Sequence, residues 1–498
     1  MMHTNKISLV AALAYTFLLY QEGIGLNILL LNLLLIGILF WFNPKQMKEK
    51  INLGFSLAAL FSACFAALHG HFLSAFANVI SLLLLAVSLA LPNLSIAGYL
   101  VQGAYSFVTT PLLKISKYFS KENNDEIQEE SNESNPPSSA NYKLITALSA
   151  LVFIVFFGIY RNMSVGFDTF IKGLNFDFIS IPVLFHYLIG FVLLSTFFKP
   201  FILKHLAEKE SALSSLLSYS DYKSYNIFGI SVNESTEQLL AKVVFVGLNL
   251  LLLLVNVIDT FYLSQHIMPE GTGFSEYVHQ GVDALIWSIV FAISIILWVF
   301  RGSQSFSQNN TNKILSYIWI GLNVWLVITA AYRNHLYISE EHLFTYKRIG
   351  VYFFLTCASI GLGLTYIKIK YKLSNYFLVQ TNTLVWFIFL VISTSINWDR
   401  VIANHHVTYA INTNKAADID YLYKLSYAAY PAIAAYSDFT IKRAYKDVMP
   451  PNQLAEYPFE SRMLYDVMLQ QVNSRTWKSY NLSNQKTLNE LFDIANSK

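Results

Sequence analysis

Long apolar runs separated by short polar stretches set the rhythm of this chain. A helix needs about 20 mostly apolar residues to cross a bilayer. Runs of this kind lie near 7–20, 24–42, 51–69, 72–91, 143–160, 180–198, 240–258, 282–300, 314–332, 349–368 and 375–395, which predicts about eleven transmembrane helices. The first is short and follows "MMHTNK", as the apolar region of a signal peptide would. "LLYQEGIG" offers no small-residue cleavage site, so the run reads as a helix. No internal repeat is visible.

Between and after these runs the pattern changes. "IAGYLVQGAYSFVTTPLLKISKYF" reads as a helix lying in the membrane interface, anchored by aromatics and lysines, and "KPFILKHLAEKESALSSLLSYS" carries a similar apolar stripe. "SKENNDEIQEESNESNPPSSANYK" is acidic and has no apolar periodicity, so it reads as a disordered cytoplasmic linker. Beyond the last run, "ADIDYLYKLSYAAYPAIAAYS", "SRMLYDVMLQQV" and "SNQKTLNELFDIAN" return to helical spacing, the last with Ser483 as the expected N-cap. The predicted organisation is 1–115, membrane helices with the interfacial helix; 116–142, linker; 143–395, membrane helical bundle; and 396–498, a small extracytoplasmic α-helical tail domain. The fold class is an all-α polytopic membrane protein.

Composition agrees. Of 498 residues, 54% are hydrophobic and 13% charged, where a soluble domain carries roughly a quarter charged. The mean hydropathy is +0.43. A net charge of +3 without a basic block makes nucleic acid an unexpected partner, and the expected partner is the lipid bilayer. Two cysteines, Cys64 and Cys357, exclude a disulfide framework or a CxxC metal site. With the N-terminus cytoplasmic and eleven spans, 18 Lys and Arg fall in cytoplasmic segments, 5 in external loops and 11 in the tail. That is the positive-inside pattern; the long tail crosses largely regardless of its charge.

No Asp, Glu, Lys or Arg falls in the middle of a predicted span, which argues against an ion-coupled pathway. Asn32, Asn78, Asn249, Asn256 and Asn323 do lie within spans, and their plain reading is hydrogen bonding between helices. Ionisable groups gather at the outer ends instead. The loop "DTFYLSQHIMPEGTGFSEYVHQGVD" supplies acids, including Asp259, and no Lys or Arg; the next external loop, "AAYRNHLYISEEHLFTYKRIG", supplies Arg333 and Arg348. Arg333 is therefore expected to pair with an acid of the 259–283 loop. Glu276, His279 and Asp283, at i, i+3 and i+7, share a helix face and form a weak candidate metal site. More often such residues form a polar network. His69 and His71 flank a tight turn and are expected to face water, His405 and His406 are expected at the surface, and His186 reads as a packing residue.

The chain contains no Walker loop, GxGxxG after a strand, GxSxG or HExxH, so no nucleotide-driven or familiar hydrolytic chemistry is indicated and no cofactor is expected. From "GFSEYVHQGVDALIW" through "AAYRNHLYISEEHLFTYKRIG", "INWDRVIANHHV" and "TWKSYNLSNQ", residues 240–490 resemble a group of bacterial polytopic inner-membrane proteins, the domain-of-unknown-function family of DUF4153/DUF4173 type. The matching positions are Glu276 and Gly281; Arg333, Tyr337, Thr345 and Arg348; and Asn397, Asp399, Ile402, Ala403 and Asn404. The resemblance implies a bacterial inner-membrane location and no activity. The leading expectation is a non-enzymatic scaffold or sensor whose external cluster and tail bind an envelope protein or lipid. A transporter or flippase would need a mid-membrane polar cavity lined by the asparagines with Gly361 and Gly363, and a metal-dependent enzyme would use Glu276, His279 and Asp283.

Overall fold

In hydrocarbon every backbone N–H and C=O must be satisfied within its own segment, so the apolar runs fold as helices. The computed structural model describes residues 2–120, scattered positions between 153 and 169, 181–217, 225–227, 230–265, 274–301, 310–340, 344–445 and 460–496. Its long helices are α1 (Met2–Leu19), α2 (Leu26–Phe42), α3 (Lys50–His69), α4 (Phe72–Ala90), α5 (Ile96–Ser120), α6 (Ile181–Phe198), α7 (Glu234–Gln265), α8 (Phe274–Val299), α9 (Asn310–Glu340), α10 (Tyr346–Tyr371) and α11 (Asn375–Ser393). The tail adds α12 (Trp398–Thr413), α13 (Tyr430–Tyr445), α14 (Glu460–Asn473) and α15 (Leu482–Asn496). A short antiparallel hairpin, β1 (Tyr225–Ile227) and β2 (Ile230–Val232), precedes α7.

Seven described helices, α3, α4, α6, α7, α9, α10 and α11, are long and apolar enough to cross a membrane. Shorter apolar helices cover Lys6–Leu19, Leu26–Phe42 and Trp287–Val299. The span expected at 143–160 falls largely outside the described residues, as does the linker after Ser120; residues 116–120, assigned to the linker from sequence, belong to α5.

Helices α1–α6 and α11 share one apolar core, in which Leu35, Met47, Leu84 and Leu85 are buried. α1 lies along α6 with Ala11 and Ala12 fully buried. Asn32 and Asn78 exchange amide hydrogen bonds of 3.0 Å between α2 and α4. The helix expected to lie in the interface, α5, packs instead against α4, α6 and α11. It turns a polar row inward, because Gln102 meets the backbone of Leu203 while Ser106 and Thr110 accept from the Phe201 amide.

Helices α7–α10 form a second core around Phe245, Ile296, Trp319 and Leu362. Here α7 and α9 run parallel, and their contacts keep near-constant register. Asn249 and Asn256 donate to the carbonyls of Leu315 and Leu322 at 3.0 and 2.9 Å, and Trp325 donates to Thr260 at 3.1 Å. Polar groups at seven-residue spacing fix the register of two helices that apolar packing alone would let slide. At the opposite end, the fully buried Lys368 donates to the Phe300 carbonyl at 2.8 Å, at the C-terminal end of α8 where helix carbonyls lack partners within the helix.

The tail helices bury their own core, including Ile402, Leu422, Ile433, Leu464, Met468 and Leu491, against Phe344 and Ile349. Two sequence expectations change here. The stretch 417–437 is not one helix: Asp418 caps a single turn at Ile419–Leu422, and the chain re-enters helix only after a 3-10 turn at Tyr427–Ala429. α15 is capped by Asn481, whose Oδ1 accepts from the Asn484 amide at 2.9 Å; Ser483 sits in the first turn and accepts from Asn397 instead.

Candidate functional site

The helix ends on one side of the molecule, the turns 20–25 and 69–71, the stretches 333–340 and 344–349 and the tail meet one another. Gly70 eases the α3–α4 turn, with φ +70°, a left-handed conformation that favours glycine. That turn brings His71 to the first turn of α12.

Two polar groups form at this end. In the first, Arg333 of α9 pairs with Asp259 of α7, the pairing expected from sequence, and both side chains are largely buried. One turn on, the buried Arg348 guanidinium lies 3.6 Å from the centre of the Tyr337 ring, and its backbone carbonyl accepts from Asn334 at 3.3 Å. An arginine on an aromatic face keeps its charge while shedding water. Thr345 N-caps α10 through its carbonyl, which accepts from the Arg348 and Ile349 amides at 3.0 Å; its side chain makes no cap bond.

The second group centres on Asp399. Its Oδ1 accepts from the Tyr346 hydroxyl at 2.7 Å, and its Oδ2 lies 3.7 Å from His71 Nε2. The Tyr421 hydroxyl accepts from the Tyr346 amide at 3.2 Å. Asn397 N-caps α12 and donates to Ser483 at 3.1 Å. Arg400 donates from one guanidinium nitrogen, Nη1, to both oxygens of Glu490 at 2.6 and 2.8 Å, joining the two ends of the tail by a charge-assisted contact. The short segment 344–349 links the two groups.

Residue by residue, then, Asp259, Arg333, Tyr337, Thr345 and Arg348 come together, and so do Asn397 and Asp399. Asn404 is exposed and its side chain makes no hydrogen bond with the described residues. The side chains of Glu276, His279 and Asp283 lie outside the described residues; among those described, no group of three His, Cys, Asp or Glu could hold a metal. The asparagine amides within the spans are engaged in helix contacts, Asn323 with the Trp319 carbonyl at 2.8 Å. Among the residues of the site that escaped the sequence reading are His71, Tyr346, Tyr421 and Glu490. Tyr346 directly follows Thr345 of the matched motif, the one available clue; the others are brought in by distant segments.

The histidine expectations are also corrected. His71 is buried rather than solvated, and His69 stacks on it at 5.4 Å while its Nε2 meets the Ser395 carbonyl at 3.2 Å. His406 is buried with Nε2 2.8 Å from the Phe344 carbonyl, whereas His405 remains exposed. His186 packs as expected, stacked on Tyr15 at 4.9 Å.

Burial pushes His406 below the ordinary histidine range despite the Phe344 carbonyl and Asp418, which pull it up. The unfolded chain therefore takes up protons first as pH falls below about 6.5, and stability falls with it. Thermal unfolding in detergent is expected to show a midpoint that drops from pH 7 to pH 5, with a smaller drop in His406→Gln. An identical pH slope in the two proteins would contradict this.

Two clefts open beside these groups. One, of about 450 Å³, lies between α7, α8 and α9 below Asp259 and Arg333. The other, of about 900 Å³, runs between α10 and α11 from mid-depth up to His71, Tyr346 and Asp399. Both have apolar walls and an ionisable rim.

The profile of one protein family, described as a domain of unknown function, DUF4153, matches residues 29–436. The match begins in α2, far ahead of residue 240, and ends at 436, so that "TWKSYNLSNQ" lies beyond it. No curated protein and no solved structure matches.

Proposed function

Because the chain belongs to the DUF4153 family, whose function is unknown, we propose its role from geometry: a non-enzymatic scaffold or sensor in the bacterial inner membrane. On this reading about eleven helices cross the bilayer, the N-terminus is cytoplasmic and the tail is an extracytoplasmic helical domain. The Lys and Arg distribution supports that orientation.

The observation that carries the role is the way the tail is tied to the membrane helices. Lys478 pairs with Glu22 at 3.0 Å and donates to the Phe17 carbonyl at 2.9 Å, Asp399 meets Tyr346 and His71, and His406 meets the 344 carbonyl. Anything that binds and shifts the tail moves helix ends of both bundles, which is what a sensor or scaffold in the envelope requires. Capture of envelope proteins by full-length protein and by protein lacking 396–498 tests this. The full-length protein should retain at least one partner that the truncated one loses; equal retention would remove the reading. Reporters fused at Met1 and Lys498 should report opposite sides of the membrane.

A further inference from the structure

The larger cleft is lined by Phe353, Trp386, Phe389 and Leu390, and its rim holds His71, Tyr346 and Asp399. Its volume, about 900 Å³, is that of a ligand site, in the usual range of roughly 300–1,000 Å³. Its walls belong to apolar helices, so the molecule that meets them is bilayer lipid.

The rim is not finished by the protein itself. Asp399 and His71 are each 7% exposed. Asp399 Oδ1 accepts from Tyr346, but Oδ2 stands 3.7 Å from His71 Nε2, beyond hydrogen-bonding distance, and that nitrogen has no partner. Among the described residues no Lys or Arg pairs with Asp399; the adjacent Arg400 is held by Glu490. Burial and His69 push the His71 imidazole below the ordinary range, against the pull of Asp399 and Asn397, so it stays uncharged near neutral pH. A buried carboxylate without a cation, facing a buried neutral imidazole, lacks a positively charged donor.

We propose that this cleft binds a single phospholipid of the surrounding outer leaflet through a primary-amine headgroup, the ammonium lying between Asp399 and His71 and an acyl chain lying along α10 and α11. An ammonium carries three N–H donors, enough to reach the carboxylate and the imidazole together. A trimethylated head has none, and a purely anionic head meets the Asp399 charge. This deepens the reading above, since it needs α10 and α11 to cross the bilayer, but it does not depend on which protein the tail binds.

The test is native mass spectrometry of the full-length protein, titrated in detergent with dioleoyl phosphatidylethanolamine or dioleoyl phosphatidylcholine. The wild-type protein should retain the ethanolamine lipid about tenfold more tightly, the scale of one charge-assisted hydrogen bond. Asp399→Asn and His71→Phe should each erase most of that preference, and either variant suffices if the other fails to fold. Gly350→Leu, which adds bulk in open space on the cleft wall, should weaken both lipids alike. Equal retention of the two lipids by the wild type, or a preference that survives both substitutions at the rim, would overturn the site. Binding of free ethanolamine as tightly as the lipid would overturn the lipid source. Partner capture by the tail is read separately, so its failure leaves these outcomes unchanged.

Discussion

Arg333→Ala destabilises the Asp259 end of the second bundle by about 2–4 kcal/mol. Removing one member of a buried ion pair costs roughly 3–5 kcal/mol because the other charge is left uncompensated. The expected loss is set lower here because Asp259 is 19% exposed and water screens part of its charge. Denaturant titration in detergent measures it. The double variant Arg333→Ala, Asp259→Ala should recover about half of the loss, because the stranded carboxylate is gone. A double variant no better than the single one would mean that the arginine acts through packing. Loss of the pair also widens the mouth of the 450 Å³ cleft beneath it, which Arg333 and Asp259 both line.

Gly25→Ala frees the tail from the α1–α2 turn. A Cβ at this position would lie 2.5 Å from the Tyr480 carbonyl oxygen and 2.6 Å from the Ser479 carbonyl, both backbone, so no side chain could swing aside to accept it. The backbone must part. It would break the Leu26 N–H to Tyr480 carbonyl bond of 2.9 Å and pull Lys478 from Glu22 and Thr476 from its 2.8 Å bond to the same carboxylate. Overpacking of this kind costs about 1–3 kcal/mol, and cleavage of a transiently open segment follows the open population, so limited proteolysis within 474–481 should accelerate by about tenfold or more. Gly54→Ala, where a Cβ meets open space, is the control and should leave the rate unchanged. If the two variants are cleaved alike, the tail is not held at this turn.

The helices were legible in the sequence because the solvent is lipid. A stretch such as 72–91 has no other way to satisfy its backbone, and the structure returns it as Phe72–Ala90. The Arg333 pairing was legible in kind for a related reason. An arginine among apolar runs needs a counter-charge, and the stretch 259–283 offered acids and no bases. Which acid it takes was not legible. Asp259 is chosen because α7 and α9 run parallel and in contact, tied by Asn249 and Asn256, so that the C-terminal parts of the two helices, and with them Asp259 and Arg333, come together.

The histidines show the opposite case. His71 reads as solvated because it flanks a tight turn, and His406 as a surface group because it adjoins His405, yet both are buried by residues distant along the chain: Asp399 on the first, Phe344 on the second. Ser483 had the right type for a cap, but Asn481 two residues earlier takes that role, so Ser483 is left for Asn397.

Local pattern thus determined what each segment is, since helix formation in a bilayer and the cost of an unpaired charge act on a segment alone. Tertiary structure decided which segments complete one another. The rim of Asp399, His71 and Tyr346 draws on three separate stretches, one of them hundreds of residues from the other two, and the burial that pushes its imidazole below the ordinary range arises only when all three meet.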